Sequence, residues 1–262
     1  MFFLFLIKLL IGTVLYLTGP RTLFPEACST LLYSSDGQLL GARIAPDGQW
    51  RFPPADTLPD KFVTCLLTYE DKRFYQHPGV DPTAIARAMR TNLSRGKIVS
   101  GGSTITMQLV KNVFLNRNKN FARKLEEALI VWLIENERLT SKERMYEVYL
   151  NIVEWGPLVY GIQEASAYYF NKRPSQLNTE ESIFLASIIP KPKHFRSSFA
   201  EGGQLKENME GYYKLIAKRL AQKGVISEIE ADSIRPDIQV TGAARNSLAG
   251  ENPESSSPSA EE

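Results

Sequence analysis

The sequence predicts a mainly α-helical protein with a small β element near its N-terminus. Its 262 residues suffice for a sizeable core, and 43% hydrophobic with 23% charged residues is an ordinary balance for a folded chain. That balance excludes wholesale disorder, a collagen-like chain and a coiled coil. After the pair Pro53-Pro54, almost every segment has helical periodicity and signals for helix ends.

The first segment, residues 1–19, is predicted to be a membrane anchor and transmembrane helix. Met1 to Leu17 is apolar except for Lys8, whose ammonium group would have to snorkel to the membrane surface. A cleaved signal peptide is the alternative. It is disfavoured because a basic n-region and a small-x-small site before Pro20 are both missing. We therefore expect a single pass, with the remainder outside the cytoplasm.

Residues 20–54 are predicted to form a short β and linker region. The sequence alternates like short strands between residues 30 and 52, and the pairs Asp36-Gly37 and Asp47-Gly48 are typical of hairpin turns.

Residues 55–242 are predicted to form one helical domain with well-marked helix ends. The expected helix starts are Asp81 before Pro82, Ser103 before an apolar run, and the capping boxes Thr140…Glu143, Asn178…Glu181 and Ser227…Glu230. Helices are expected to stop at Pro190 and Gly224. Residues 243–262 have almost no large apolar side chain and are predicted to be a disordered tail.

Cysteine and histidine usage gives no sign of a metal centre. The chain has two cysteines, Cys28 and Cys65, and two histidines, His77 and His194, with no CxxC motif. A disulfide-rich scaffold and a structural zinc site are therefore not expected.

Basic residues are concentrated in one part of the sequence. The whole chain has 31 Lys and Arg against 29 Asp and Glu, but the stretch from Pro82 to Leu125 has no acidic residue. Its basic residues are Arg87, Arg90, Arg95, Lys97, Lys111, Arg117, Lys119, Arg123 and Lys124. Such a stretch builds a positive surface that concentrates anions, and nucleic acid, anionic lipid and a phosphorylated substrate all fit it.

Glu70 is the first candidate catalytic residue. It continues an apolar stripe at helical spacing formed by Phe62, Val63, Leu66 and Leu67. Burial of a carboxylate raises its pKa, which suits a general acid or base near neutral pH. The alternative is an ordinary glutamate at a helix end, paired with Lys72 or Arg73.

Glu127 is the second candidate. It lies in a predicted helix over residues 121–134, with Arg123 and Lys124 four and three residues before it. Residues 128–134 are all apolar and are expected to be buried on every side. The alternative for Glu127 is a surface ion pair worth a few tenths of a kcal/mol. Two glutamates and a basic cluster together suggest sugar chemistry on an anionic substrate, with one carboxylate moving a proton and the cations binding a phosphate leaving group.

Four motifs resemble those of family-51 glycosyltransferases, the peptidoglycan glycosyltransferases of bacterial cell-wall synthesis. Residues 70–79 match EDxxFxxHxG, residues 102–112 resemble GxSTxTQQxxKN, residues 123–127 match RKxxE, and residues 142–151 resemble KxxILxxYLN. They occur in the family's order, and residues 154–156 and 168–172 resemble the monofunctional branch. Met107 and the pair Met145-Tyr146 depart from the pattern, and the fifth motif, near residues 212–219, is poorly matched.

The resemblance implies a lysozyme-like fold of two helical lobes and an enzyme that polymerises lipid II. It assigns Glu70 as the general base, and it places Glu127 beside the diphosphate leaving group, which Lys111, Arg123, Lys124 and Gln108 would hold. The other substrate-binding positions that it implies are Asp71, Phe74, His77, Gly79, Ser103, Thr104 and Asn151. Among these, Asp71 and His77 are expected to order the loop of the first glutamate.

The resemblance also implies the partners and the location. Lipid II and lipid-linked glycan are the expected substrates, the membrane and the cell-wall synthesis machinery are expected partners, and nucleic acid is not. No cofactor is expected to be required, although a divalent cation, Mg or Mn, could bridge the diphosphate. The expected location is the bacterial inner membrane, with the catalytic domain on its periplasmic or extracellular side. A lysozyme-like glycan hydrolase and a non-catalytic cell-wall scaffold are the alternative functions.

Overall fold

The computed structural model describes residues 23–24, 29–33, 35, 39–43, 58–115, 121–200 and 203–248. The predicted anchor over residues 1–19 and the two predicted hairpin turns lie outside these residues. Within the described part of the chain, no helix combines the length and the apolar character needed to cross a bilayer.

Contacts between Cα atoms divide the chain into two compact units. Unit 1 comprises Met1–Ala27 and Phe74–Val148, and unit 2 comprises Cys28–Arg73 and Tyr149–Glu262. Both units are mainly helical in their described parts, as the sequence predicts.

Unit 1 is built of helices. They are α2 (Pro82–Arg95), α3 (Ile105–Phe114), α4 (Phe121–Asn136) and most of α5 (Lys142–Ile152). Helix α2 begins as predicted, because the side chain of Asp81 accepts the backbone N–H of Ala84 at 2.9 Å. Helix α3 begins one residue later than predicted, since Thr104 rather than Ser103 caps it by accepting the N–H of Met107. Helices α3 and α4 pack against each other.

The start of α5 also differs by one residue from the prediction. The Ser141 hydroxyl accepts the backbone N–H of Arg144 at 3.1 Å, so Ser141 caps the helix in place of Thr140. The residues that depart from the family motifs are buried: Met107, Met145 and Tyr146 are 7%, 1% and 6% exposed. These departures therefore lie in the packed interior.

The prediction that residues 128–134 are buried on every side is wrong. Val131 and Ile134 are buried, but Leu129 is 54% exposed and Trp132 is 42% exposed. The side chains of seven consecutive helical residues point to all sides of the helix. The described residues of unit 1 pack against only one side of α4. The opposite side is an apolar surface.

Unit 2 contains two short antiparallel hairpins and the remaining helices. The strands are β1 (Thr30–Tyr33) paired with β2 (Leu39–Arg43), and β3 (Glu154–Gly156) paired with β4 (Val159–Tyr160). The helices are α1 (Asp60–Glu70), α6 (Ile162–Phe170), α7 (Thr179–Ile188), α8 (Glu210–Gln222), α9 (Glu228–Ser233) and α10 (Ala244–Leu248). Three-residue and longer 3₁₀ turns occur at Pro174–Gln176, Pro192–Ser198 and Glu207–Met209. The pairing of β1 with β2 confirms the predicted small N-terminal β element.

The core of unit 2 surrounds helix α7. Helix α1 packs on α7 and α8, and every residue from Glu181 to Ala186 is buried. Trp155 donates its indole N–H to the carbonyl of Leu185 at 3.0 Å, and the Tyr169 hydroxyl donates to the carbonyl of Trp155 at 2.7 Å. These buried polar groups are therefore satisfied, which fixes β3 and α6 on α7.

Two predicted helix ends of unit 2 are confirmed and the tail needs a correction. Asn178 and Glu181 form the reciprocal capping box of α7, and Gly224, with φ of +69°, follows the end of α8. The predicted disordered tail begins with helix α10, because Ala244 is buried and α10 packs on α6. Residues 249–262 lie outside the described part.

Candidate active site

Glu70 is the last residue of α1, in unit 2. Phe62 and Leu66 of the predicted stripe are fully buried, and Glu70 itself is partly buried, with its Oε1 atom shielded from solvent. Helix α1 thus carries a carboxylate at the end of its apolar face, as predicted.

Two tyrosines that the sequence analysis did not select lie in the surroundings of Glu70. The rings of Tyr69 and Tyr212 meet edge to face, with their centroids 5.4 Å apart. Burial raises the pKa of both phenols, and the negative charge of Glu70 raises them further. Tyr212 lies on α8, in the segment where the fifth motif is poorly matched, so motif comparison gave no signal for it. Two tyrosine phenols therefore lie close enough to Glu70 to respond to its charge.

Glu127 is a buried carboxylate held by two cations, in unit 1. It is 2% exposed. Its Oε1 accepts a hydrogen bond from Nζ of Lys124, and its Oε2 lies 3.5 Å from Nη1 of Arg123. The predicted ion pairs are confirmed, but they are not an ordinary surface pair. The carboxylate is hidden, whereas the Lys124 side chain is 47% exposed.

The other basic residues of the acid-free stretch also lie in unit 1. The exposed members within the described ranges are Arg87, Arg90, Arg95, Lys97, Lys111 and Lys124. Lys111 occupies the last turn of α3, which packs on α4, the helix that carries Arg123 and Lys124. One pair of helices therefore presents all three cations that the resemblance assigns to the diphosphate.

The glycine of the first motif and the threonine of the second are joined. Thr104 donates its hydroxyl to the carbonyl of Gly79, and both residues are buried. Gly79 has φ of +80°, and a Cβ there would lie 2.5 Å from Cγ1 of Val131 and 2.8 Å from Cγ of Glu135. Only glycine fits this position, because the backbone is left-handed and touches α4 directly. These contacts are structural, and substrate binding by either residue stays a prediction.

A second buried carboxylate of α4, Glu135, was missed by the sequence analysis. Its Oε1 accepts hydrogen bonds from Thr106 at 2.7 Å and from Nζ of Lys142 at 2.6 Å. The ammonium of Lys142 also lies 4.6 Å from the ring centroid of Phe74. A signal for Glu135 was present, since it follows Glu127 and Val131 at intervals of four residues on the buried face of α4. This network joins residues of the first, second and fourth motif segments to α4 within unit 1.

The remaining predicted site residues have different surroundings. Asp71, His77 and Asn151 are 5%, 6% and 7% exposed, whereas Ser103 is exposed and Gln108 is partly buried. Asp71 caps the end of α1 through its backbone N–H, which donates to the carbonyl of Leu67. Ser103 and Gln108 thus have solvent-accessible surface, and the backbone of Asp71 closes the last turn of α1, which ends at Glu70.

Among the described residues, no three His, Cys, Asp or Glu side chains lie together as a protein-held metal ion requires.

Comparison with known proteins gives a family match and several curated relatives that share one name. A sequence model described as transglycosylase matches residues 37–221. This match begins inside the predicted β and linker region and ends inside the predicted 55–242 domain. Three curated relatives carry the name biosynthetic peptidoglycan transglycosylase. The protein of Chromobacterium violaceum is 43% identical over 145 residues, which are 55% of this chain and 63% of the relative.

The relative from Paraburkholderia xenovorans is 42% identical over 147 residues, covering 56% of this chain and 60% of its own length. The relative from Burkholderia cenocepacia is 41% identical over 175 residues, covering 66% of this chain and 70% of its own length. The chain thus spans about three fifths of the length of the first two relatives, at 63% and 60%.

Proposed function

Because the chain belongs to the transglycosylase family, we propose that it is a peptidoglycan glycosyltransferase that polymerises lipid II into β-1,4-linked glycan strands. The observation that carries this proposal is the buried Glu127 carboxylate with its half-exposed Lys124 partner, at the head of the helix pair that presents the basic residues. A glycosyl transfer that expels a diphosphate needs such cations, because negative charge develops on the leaving oxygen. We also propose the lysozyme-like, two-lobed architecture, with each compact unit supplying one lobe.

In the proposed reaction Glu70 acts as the general base. Its carboxylate accepts the proton of the acceptor's 4-hydroxyl, and that oxygen attacks the anomeric carbon of the lipid-linked glycan. The bond between the anomeric carbon and the diphosphate oxygen breaks, the configuration inverts, and polyprenyl diphosphate leaves. The partial burial of Glu70 supports this role, because a poorly hydrated carboxylate is a stronger base than a hydrated one.

The cations of unit 1 stabilise the leaving group in this proposal. Lys111 and Lys124 are exposed and can reach a bound diphosphate, and Arg123 is held against Glu127. Glu127 keeps the two cations of its helix in place, so it acts on the leaving group through them. Gln108, partly buried on α3, would donate its amide N–H to a diphosphate oxygen. A divalent cation, Mg or Mn, would be held by the diphosphate and is treated as part of the substrate.

We also propose that unit 1 contacts the membrane surface on which a lipid-linked substrate lies. Met89 and Leu93 of α2 and Ile98 just after it are 59%, 80% and 91% exposed and line a surface depression of about 480 Å³. Exposed arginines and Lys97 lie among them. Apolar side chains interspersed with cations match a bilayer that carries anionic lipids. The predicted anchor, Met1 to Leu17, would add a permanent attachment at the bacterial inner membrane.

The decisive experiment is incubation of the detergent-solubilised protein with labelled lipid II. Long glycan strands and released polyprenyl diphosphate are the expected products. Shortening of preformed glycan would instead establish a lysozyme-like hydrolase, and binding without turnover would establish a non-catalytic scaffold. Either of those two outcomes overturns the proposal.

A further inference from the structure

Unit 2 contains a cavity of about 690 Å³ that the proposed glycosyl transfer does not use. It lies between α6, the turn that follows α6, and the segment 241–246. Its volume is typical of sites for small organic ligands. None of the residues that line it belongs to the four family motifs.

The walls of this cavity are held by backbone contacts. The N–H groups of Thr241 and Gly242 both donate to the carbonyl of Tyr169 at 3.1 Å, and the Thr241 hydroxyl donates to the carbonyl of Phe170 at 2.6 Å. A Cβ at position 242 would overlap the carbonyl oxygens of Ala167 and Tyr168. The segment 241–246 is therefore fixed on the end of α6, and the cavity is a built feature of the fold.

The cavity has charged groups of both signs. Glu164 of α6 is partly buried, and its Oε2 accepts the backbone N–H of Tyr160 at 2.9 Å. Arg173 and Arg245 are exposed and line the same cavity, and Lys172 is paired with Glu181 at 2.7 Å. Within the described ranges, no ion pair joins Glu164 to any of these cations. The carboxylate and the two guanidinium groups can therefore each bind a ligand.

Carboxamide side chains lie along the same walls. Gln163, Asn171 and Asn246 line the cavity and present both hydrogen-bond donors and acceptors, as a peptide group does. A ligand with an ammonium group for Glu164, a carboxylate for the arginines and peptide groups for the carboxamides would match all of them. We propose that this cavity binds a short peptide with a free ammonium group and a free carboxylate.

The protonation of Glu164 makes this binding pH-dependent. Burial raises the pKa of Glu164 to about 7, against a smaller lowering by the hydrogen bond from Tyr160. The carboxyl group is therefore mostly neutral below that pH and mostly ionised above it. The other titratable side chains that line the cavity are Tyr168, Lys172, Arg173 and Arg245. Affinity for an ammonium group should rise as the pH passes through neutrality.

The test uses the full chain and three defined probes: trialanine, N-acetyl-trialanine without the ammonium group, and trialanine amide without the carboxylate. Binding is measured by NMR line broadening of the probe at concentrations up to about 10 mM, the range of weak ligands. Trialanine should bind best. Glu164→Gln should weaken trialanine binding about tenfold and leave N-acetyl-trialanine unaffected, because one charge-assisted hydrogen bond is lost. Arg245→Gln should weaken the binding of trialanine and leave the binding of trialanine amide unaffected.

Glu207→Gln, at an exposed glutamate away from the cavity, is the matched control and should change nothing. The proposal is overturned if none of the three probes binds, or if Glu164→Gln and Arg245→Gln both bind trialanine like the parent. None of these variants alters a proposed catalytic residue. Polymerisation of lipid II is measured in a separate assay, so failure of the proposed glycosyl transfer is distinguishable from failure of peptide binding at this cavity.

Discussion

Glu135 and Lys142 form an ion pair with an Oε1 to Nζ distance of 2.6 Å, and their side chains are only 7% and 17% exposed. This pair joins α4 to the start of α5, and Thr106 of α3 donates to the same carboxylate oxygen. Removing one partner of a shielded pair leaves the other charge uncompensated, which costs more than the loss of a surface pair.

Lys142→Met should therefore destabilise the protein by roughly 3 kcal/mol. The free energy of unfolding is measured by urea titration, and the double variant with Glu135→Gln should lose less than the sum of the two single changes. The matched control is Lys214→Met, which breaks a pair of the same 2.6 Å length between side chains that are 59% and 47% exposed. That control should leave stability unchanged. Equal losses of unfolding free energy for the two lysine variants would show that the Glu135–Lys142 pair stabilises the fold no more than a surface pair does.

The pair between Lys124 and Glu127 should behave in the opposite way. Lys124→Ala should lower the rate of lipid II polymerisation by roughly 10²-fold, as the loss of one stabilising donor does. Its loss of stability should be smaller than that of Lys142→Met, because Arg123 still pairs with the buried Glu127 carboxylate. Arg144→Ala, at an exposed pair of the same i, i+3 spacing, is the control and should polymerise normally. A folded Lys124→Ala protein with the parental rate would show that this lysine does not bind the diphosphate.

Features that depend on neighbouring residues were predicted well from the sequence. The Asp81 cap, the Asn178 capping box and the ion pairs of Glu127 all join residues three or four positions apart, so local spacing determines them. Features that depend on distant residues were not predicted. Thr106 meets Glu135 across 29 positions, and Tyr212 comes from a different helix to the surroundings of Glu70.

The wrong prediction of full burial for residues 128–134 of α4 also arises because burial depends on distant residues. A run of seven apolar residues shows that a helix is apolar on every side, but which sides are covered depends on how many neighbours tertiary packing supplies. Leu129 and Trp132 are exposed because only the face with Val131 and Ile134 meets other described residues of unit 1.

The proposed membrane contact predicts that Ile98, just after α2, lies within the bilayer surface. A nitroxide attached through Ile98→Cys, in a Cys28→Ser background, should be shielded from a water-soluble relaxation agent when the full chain is reconstituted into anionic vesicles. Cys65 is fully buried and should not react. The control label at Ile229→Cys replaces an apolar residue of unit 2 that is 85% exposed and should remain accessible. Equal accessibility at the two positions would argue against membrane contact by α2.

Glu164 predicts a specific dependence of stability on pH. Burial raises its pKa from 4.5 to about 7, so the folded state binds the proton more tightly than the unfolded state. This contribution is fully present below pH 4.5 and is lost as the pH rises through about 7. Relative to Glu164→Gln, which stays neutral, the parent should lose stability of the order of 3 kcal/mol over this interval. Urea titrations of both proteins across that range test it, and parallel curves would contradict it.

The sharpest prediction separates the two glutamates of the proposed active site. Glu70→Gln should reduce polymerisation by about 10²–10⁴-fold, the usual contribution of a general base, because an amide cannot accept the acceptor's proton. Substrate binding and folding should persist, and the acidic limb of the rate profile should disappear, because the group that titrates is gone. Glu127→Gln should act differently, since its carboxylate holds Arg123 and Lys124 rather than the proton.

The rate of Glu127→Gln should therefore fall through poorer stabilisation of the leaving group, and its profile should keep the parental acidic limb. The measurement is the polymerisation rate against pH for the parent and both variants, each shown to be folded by circular dichroism. Glu126→Gln, the exposed neighbour on α4, controls for removal of a negative charge from the same helix and should match the parent. If Glu70→Gln retains both the rate and the acidic limb, the base is another residue, and the role assigned to the end of α1 is wrong.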